Sequence, residues 1–388
     1  MTSALQPRSI FKRTFPFVIS ILFFLYSQFH LLGNVNVFNM ESEAAIKTSD
    51  RDNAQLNYSQ PFSNESSAGY NSRTNNFAER YGIPALIVAG TQKGGTDAVR
   101  EYLMNHPQML GTERKETHFF DMYCKGECSN PEVIQQNRDL YARTYWNVSE
   151  IEQNPQLLAF EKTPVYILQP KIMHDIKLLV PWAKILIVLR DPIERAYSHF
   201  KMNYMKKPKK RDIGLKRVSF EACVQSDMDQ MNRLGMLNET FLQSSGEVKR
   251  KLWDELLIKR KRGMAQSQWC DSMITRGLYS LQLRPIFDDY GPEAKDKILV
   301  IRSEDLRPNP MTNLTVTDFL GIDELNQIGE EKIHATVDLV GPLKNETIST
   351  LRKLYAPYIK ELHSILGDGW EDPWPILGHS EAIITSTS

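Results

Sequence analysis

The 388-residue sequence is short of several things, and each shortage closes off a class of function. It has four cysteines, too few to staple a chain of this length into a disulfide scaffold. No Cys/His cluster has zinc-site spacing; Cys124-Lys-Gly-Glu-Cys128 comes nearest, and no second ligand pair follows it, so no metal is expected. Net charge is missing too. The 47 basic and 47 acidic residues cancel, which gives no ground for a nucleic-acid partner and leaves any electrostatic role to local patches. There is no internal repeat at solenoid periods. A G-x-x-x-x-G-K-[ST] phosphate loop is absent, because the one lysine in a suitable loop, Lys93, precedes its glycine pair. With 41% hydrophobic residues, what remains is enough for one large domain or two small ones plus appendages.

One long apolar run is present, and it addresses the chain. Arg8, Lys12 and Arg13 precede Phe15 to Leu32, roughly 18 mostly apolar residues, about the minimum that spans a bilayer as a helix. Basic residues lie only on its N-terminal side, while Glu41 and Glu43 follow it. The positive-inside bias then makes residues 1–13 a cytosolic tail, 14–33 a transmembrane signal anchor, and the remainder lumenal. A cleaved signal peptide would share the charge pattern, but no A-x-A-like site closes the run. Residues 34–80, rich in Asn, Ser, Glu and Thr without hydrophobic periodicity, read as a lumenal stem. Sequons at Asn57, Asn64, Asn147, Asn238, Asn313 and Asn345 fit a glycosylated secretory-pathway protein, where cysteine pairs would be oxidised.

Order is expected from near Tyr81 to 375, with 376–388 as a C-terminal tail. Pro84-Ala-Leu-Ile-Val-Ala-Gly90 is a short apolar run ended by glycine, the pattern of a buried strand. Thr96 to Asn105 spaces its apolar residues as a helix does. Strand, glycine turn and helix in that order open a parallel α/β sheet. Lys184 to Leu189 and Lys297 to Ile301 read as two further buried strands, and 274–290 and 348–366 as helices. Residues 205–270, highly charged and Met-rich, read as a helical insertion over one side of the sheet.

Four segments carry candidate chemistry. In Gly90-Thr-Gln-Lys93-Gly94-Gly95-Thr96, a loop between strand and helix offers backbone N–H groups and a helix dipole to an anion. The glycines allow close approach, and Lys93 and Thr96 add a charge and a hydroxyl; an ordinary tight turn would carry the glycines too. Lys115-Glu116-Thr-His118-Phe-Phe-Asp121 sets a carboxylate and an imidazole on one face if the stretch is extended, as a surface salt-bridge segment also would. In Glu161-Lys162-Thr163-Pro164-Val-Tyr166, the proline holds Thr163 extended. In Arg190-Asp-Pro-Ile-Glu-Arg195-Ala-Tyr-Ser198, Arg190 ends a strand and Ser198 lies about two turns into the next helix. Both would reach a ligand across the carboxyl ends of the sheet.

In this order and spacing the four segments, with Arg276-Gly-Leu-Tyr279 and Glu304-Asp-Leu306 behind them, resemble the sulfotransferase superfamily, particularly its Golgi branch acting on heparan sulfate. The resemblance runs over roughly residues 81–372 and is poor across 205–270. It implies an α/β fold with a P-loop-like parallel sheet flanked by helices. It also implies an enzyme that moves a sulfuryl group from 3′-phosphoadenosine 5′-phosphosulfate (PAPS) to a carbohydrate hydroxyl. By the resemblance, Lys93, Gly94, Gly95, Thr96 and Asp97 wrap the 5′-phosphosulfate, and Arg190 and Ser198 hold the 3′-phosphate. Glu116 matches the general base, with His118 and Asp121 around it. Lys162 matches a lysine beside the sulfuryl group, with Thr163 and Pro164 next to it on the acceptor side. In-line sulfuryl transfer depends mainly on positioning and charge neutralisation, so lysines can serve where kinases use magnesium.

Two departures stand out. Relatives with the same Lys-Gly-Gly-Thr loop often follow it with Arg, where this chain has Asp97. The heparan enzymes have a late cysteine pair and a Lys-Gly-Arg loop, whereas this chain has only Val340-Gly-Pro-Leu-Lys344 there. Residues 206–217 and 249–262 each hold seven Lys/Arg, which fits either a cradle for an anionic glycan or the solvated face of charged helices. Cys124 with Cys128, and Cys223 with Cys270, are possible disulfides; spacing alone does not fix connectivity. A sulfotransferase for a lipid or peptide hydroxyl, and an inactive glycan-binding relative, are the competing readings. The second has against it that Lys93, Glu116, Lys162, Arg190 and Ser198 are all present.

Overall fold

The computed structural model describes residues 77–125, 127–205, 218–261, 270, 272–306, 314–324 and 341–374. The signal-anchor assignment at 14–33, nearly all of the stem, Asn57, Asn64, Asn313, the basic cluster 206–217 and the tail 376–388 lie outside these residues. Among the described residues no helix is long and apolar enough to cross a membrane.

Five strands form one parallel sheet: β1 (Leu86–Gly90), β2 (Met109–Gly111), β3 (Leu158–Lys162), β4 (Lys184–Leu189) and β5 (Ile298–Arg302), in the order β2-β3-β1-β4-β5. Every neighbouring pair is parallel, so all five carboxyl ends emerge along one edge. β1 is buried at every residue, and β4 at all but its first. Strands covered on both faces need such unbroken apolar runs.

The principal helices are α1 (Phe77–Arg80), α2 (Thr96–Met104), α3 (Ile134–Tyr145), α4 (Pro170–Leu179), α5 (Pro192–Met205), α6 (Phe220–Arg233), α7 (Gly246–Lys261), α8 (Tyr279–Tyr290), α9 (Leu314–Leu320) and α10 (Asn345–Leu366). On one face of the sheet Ile87, Ala89, Ile185, Ile187 and Leu189 pack with α3, α4 and α8. On the other, Leu86, Val88, Leu186 and Val188 pack with α2 and α9. Alternate residues of one strand thus feed opposite cores, the two-residue period of extended backbone.

Three expectations need correction. β2 and β3 were not legible: β2 is three residues long, and β3 ends in Glu161 and Lys162, charges that a buried strand rarely holds. Order begins by Phe77, four residues before Tyr81. Phe77 and Ala78 are buried, and the Ala78 N–H donates to Asp139 Oδ1 of α3 at 3.3 Å. The helical insertion exists but does not lie over the sheet. Its α6 and α7 build a separate core with α5, α8 and α10, drawing in Phe200, Cys223, Met231, Trp253, Leu281 and Tyr355. Two of its methionines, Met231 and Met236, are fully buried in this core. Trp253 Nε1 donates to the Leu168 carbonyl at 2.9 Å and ties this core to the main one.

Cys124 pairs with Cys128, and Cys223 with Cys270. The second closes a 47-residue separation across the insertion, a cross-link worth about 2–4 kcal/mol.

Candidate functional site

The glycine loop leaves β1 at the carboxyl edge and turns into α2. The Thr91 N–H donates to Val188 O of β4 at 2.9 Å, and the Gly94 N–H to Thr91 O at 2.8 Å. A Cβ on Gly94 would stand 2.5 Å from Val188 O, so only glycine lets the loop lie on β4. Gly95, at φ 101°, takes the left-handed turn that starts α2. The N–H groups of Thr96 and Asp97 at the start of α2 have no partner within the helix, whereas those of Ala98 and Val99 donate to Gly95 O. Thr91 Oγ1 is buried and finds no hydrogen-bond partner among the described residues.

Sequence reasoning passed over what holds this loop. The guanidinium of Arg195, fully buried on α5, donates to Gln92 O at 3.3 Å and to Met273 O. Arg276 donates to Gln92 Oε1 at 2.5 Å. Gln92 is therefore the loop's anchor, and Lys93 follows it at φ 68°. Two of the four non-glycine residues with positive φ among the described residues, Lys93 and His118, stand in the candidate site. Such conformations persist only where the surroundings impose them.

Across from the loop, charged side chains meet in an alternating chain. Asp97 holds Lys115 Nζ on Oδ2 and Lys162 Nζ on Oδ1, both at 2.8 Å. Lys162 Nζ also donates to Glu116 Oε1 at 2.8 Å. Glu116 Oε2 lies 3.2 Å from His118 Nε2, and His118 Nδ1 lies 3.0 Å from Asp121 Oδ2. Six residues from three separate segments converge here: Asp97 from α2, Lys162 from β3, and Lys115, Glu116, His118 and Asp121 from the stretch after β2. That stretch is irregular rather than a strand, with His118 at φ 53°. Side chains still alternate along it, so Glu116 and His118 face the site while Thr117, fully buried, points inward.

The electrostatics follow from these contacts. Hydrogen bonds to Asp121 and then Glu116 outweigh burial and push the His118 pKa up to about 10, so the ring is an imidazolium. Burial opposes charge on Glu116, but His118 and Lys162 override it and lower its pKa. Burial likewise opposes charge on Asp97, and Lys115 and Lys162 override it to bring that pKa down to about 2. Glu116 is thus a carboxylate held between two cations. His118 donates both ring N–H groups and can orient Glu116 but has no free nitrogen to take up a proton.

Beneath the chain lies a buried carboxylate. Glu161 accepts from Thr163 Oγ1 at 2.8 Å and Tyr166 OH at 3.3 Å, and from Thr117 Oγ1 and Tyr141 OH in shorter contacts. Burial raises its pKa despite these hydroxyls. Thr163 Oγ1 in turn accepts the Thr117 N–H at 3.1 Å. Thr163 and Pro164, like Lys162 before them, are buried. Thr163 belongs to the network that hangs the Glu116–His118 stretch on β3. The glutamate before the lysine was the available signal, since a carboxylate inside a strand at a sheet's carboxyl end needs several donors.

On the far side of β1, Asp191 caps α5, its Oδ1 accepting the N–H groups of Ile193 and Glu194 at 2.8 and 3.0 Å, with Pro192 opening the helix. Arg190 leaves β4 paired to Glu194 at 2.8 Å, and its carbonyl accepts from Tyr279 OH at 2.7 Å. Ser198 is half-buried on α5. The structure does not join these two to the Lys162 cluster by any contact; they share the carboxyl edge with it. In the late segment, Tyr197 OH donates to Gly341 O, and Lys344 pairs with Glu221 of α6 at 3.4 Å. Asn147, Asn238 and Asn345 are exposed.

Comparison with known proteins agrees with the motif order. The model of the sulfotransferase domain family matches residues 84–338. The membrane-associated sulfotransferase kil1 of Dictyostelium discoideum is 30% identical over 149 residues, covering 38% of this chain and 28% of that protein. Heparan sulfate glucosamine 3-O-sulfotransferase 3B1 of Mus musculus is 26% identical over 315 residues, covering 74% of this chain and 65% of its own. The chain thus spans less than two thirds of either relative. A solved sulfotransferase from Alicyclobacillus acidocaldarius superposes with a TM-score of 0.45 at 19% identity, over 73% of this chain and 95% of that one.

Proposed function

Because the chain belongs to the sulfotransferase domain family, we propose that it transfers a sulfuryl group from PAPS to a hydroxyl of a carbohydrate. The observation that carries this reading is the setting of Lys162. Its side chain is fully buried, and its ammonium is shared at 2.8 Å between Glu116 and the Asp97 carboxylate at the start of α2. A cation and a carboxylate in contact beside an anion-binding loop are what sulfuryl transfer needs. The carbohydrate acceptor is drawn from the relatives, one of which is named for glucosamine of heparan sulfate.

The residues fit the donor's chemistry. N–H groups at the start of α2, Lys93 and the buried Thr96 would hold the 5′-phosphosulfate, with Gly94 keeping the loop flat against β4. Arg190 and Ser198 would hold the 3′-phosphate, Arg190 exchanging Glu194 for it. When bound, the donor supplies an activated sulfur whose bond to the phosphate oxygen breaks as the acceptor oxygen bonds to it, releasing 3′-phosphoadenosine 5′-phosphate.

The chain's own part is proton transfer and charge. Glu116 takes the acceptor hydroxyl's proton. His118, fixed by Asp121, aims the carboxylate and keeps it ionised. Lys162 neutralises negative charge at the reacting centre, and as it turns from Glu116 that carboxylate loses a cation and becomes more basic. The lumenal, type II placement in the Golgi membrane, with a stem over 34–76 and glycans at the exposed sequons, belongs to the same proposal. The paired cysteines fit an oxidising compartment.

Glu116→Gln tests the reading. It removes the base while keeping size, and should lower kcat by roughly 10²–10⁴. Calorimetric affinity for 3′-phosphoadenosine 5′-phosphate should stay nearly intact. Transfer by Glu116→Gln at close to the wild-type rate would refute the assignment.

A further inference from the structure

Asp97, in the first turn of α2, holds Lys115 and Lys162 at once, both at 2.8 Å. Lys162 Nζ, with its side chain fully buried, has both neighbouring carboxylates at 2.8 Å. Lys115 and Asp97 are each more than half exposed, so they form the water-facing end of the chain of charges. We propose that Asp97 sets the acceptor class: by taking up Lys115 and Lys162 together, it selects an acceptor with no carboxylate or sulfate beside the reacting hydroxyl. This rests on the sulfuryl-transfer reading.

The charges balance within the cluster. Lys115, Lys162 and the His118 imidazolium face Asp97, Glu116 and Asp121. An anionic group arriving at this cluster meets as many carboxylates as cations. To reach Lys115 it must displace Asp97, which then remains beside it as a like charge, an arrangement that disfavours the wrong partner. A neutral sugar meets no such opposition, and its hydroxyls can donate to the exposed oxygens of Asp97. Asp97 stays ionised across the working range because its two lysines override burial.

A simpler role for Asp97 is to complement the positive end of α2. In that case its loss would alter stability and leave acceptor choice alone, so the experiment must read choice. The acceptors are one polymer in two forms, N-acetylheparosan with its carboxylates intact and the same polymer with them reduced to alcohols. Wild type should show the higher kcat/KM on the reduced form. Asp97→Asn should move the ratio toward the carboxylated form by at least about tenfold, the size of one charge-assisted hydrogen bond.

A second arm needs no transfer. Inorganic sulfate, titrated by calorimetry, should bind Asp97→Asn at least about tenfold more tightly than wild type, and adding Lys115→Ala should abolish the gain. Wild-type preference for the carboxylated polymer, or a ratio unmoved by Asp97→Asn, would overturn the proposal. If wild type sulfates neither polymer, the acceptor assignment fails on its own. The sulfate titration then still decides the role of Asp97, and equal affinities refute it.

Discussion

Asp121→Asn probes the constellation around Glu116 without touching the proposed base. His118 Nδ1 lies 3.0 Å from Asp121, and Nε2 lies 3.2 Å from Glu116. The bond to Asp121 contributes most to raising the imidazole pKa from 6.5 to about 10, that to Glu116 comes next, and burial opposes both. At ~1.36 kcal/mol per pH unit, the net preference for the imidazolium, left after burial has opposed the two carboxylates, is on the order of 5 kcal/mol. Asp121→Asn should remove the larger share and lower the His118 pKa, whereas Glu116→Gln should lower it by less. An NMR titration of the histidine ring carbons, with His118→Gln to assign the resonance, measures both shifts. A wild-type His118 titrating near its ordinary value, or one unmoved by Asp121→Asn, would refute the argument. Stability must follow the same linkage. A histidine whose pKa is higher folded than unfolded stabilises fully below the unfolded value and loses that contribution as pH rises through the folded one. The wild-type Tm should therefore fall between pH 7 and about 10, and this component of the slope should vanish in His118→Gln.

Two further outcomes follow from the packing. Glu161→Ala leaves the hydroxyls of Thr117, Tyr141, Thr163 and Tyr166 without their shared acceptor, and should cost about 3–5 kcal/mol in urea unfolding. Glu161→Gln, which keeps one acceptor oxygen, should cost about 1–3 kcal/mol; an alanine variant as stable as wild type would remove Glu161 as the support of the site. A chain beginning at Tyr81 loses buried Phe77 and Ala78, together with the Arg143 guanidinium stacked 4.7 Å from the Phe77 ring. It should unfold several degrees below one beginning at Phe77, by thermal scanning, from a loss of about 1.5–3 kcal/mol.

Where local pattern and tertiary role agree, the chain was readable. The apolar runs of β1, β4 and β5 announced themselves because a strand covered on both faces must be apolar throughout. The glycine loop announced itself because only glycine can lie on Val188 O or turn left-handed at residue 95. β3 was hidden because it ends in two buried ionisable residues, and the partners of Lys162 come from distant segments. The insertion was misplaced because helical spacing shows that a face is buried, not against what.

The sequence by itself determined the α/β class, the carboxyl-edge placement of the Lys93 loop and Arg190, and the candidate set Lys93, Glu116, His118, Lys162, Arg190 and Ser198. These follow from local chemistry and from motif order, which survive in one dimension. Only the tertiary structure decided which charges meet. It joined Asp97 to Lys162 across 65 residues and Lys162 to Glu116 across 46. It also buried Glu161 beneath them and turned Thr163 inward. Pairing of this kind depends on distance through space, and that distance shifts the pKa values of His118, Glu116 and Asp97.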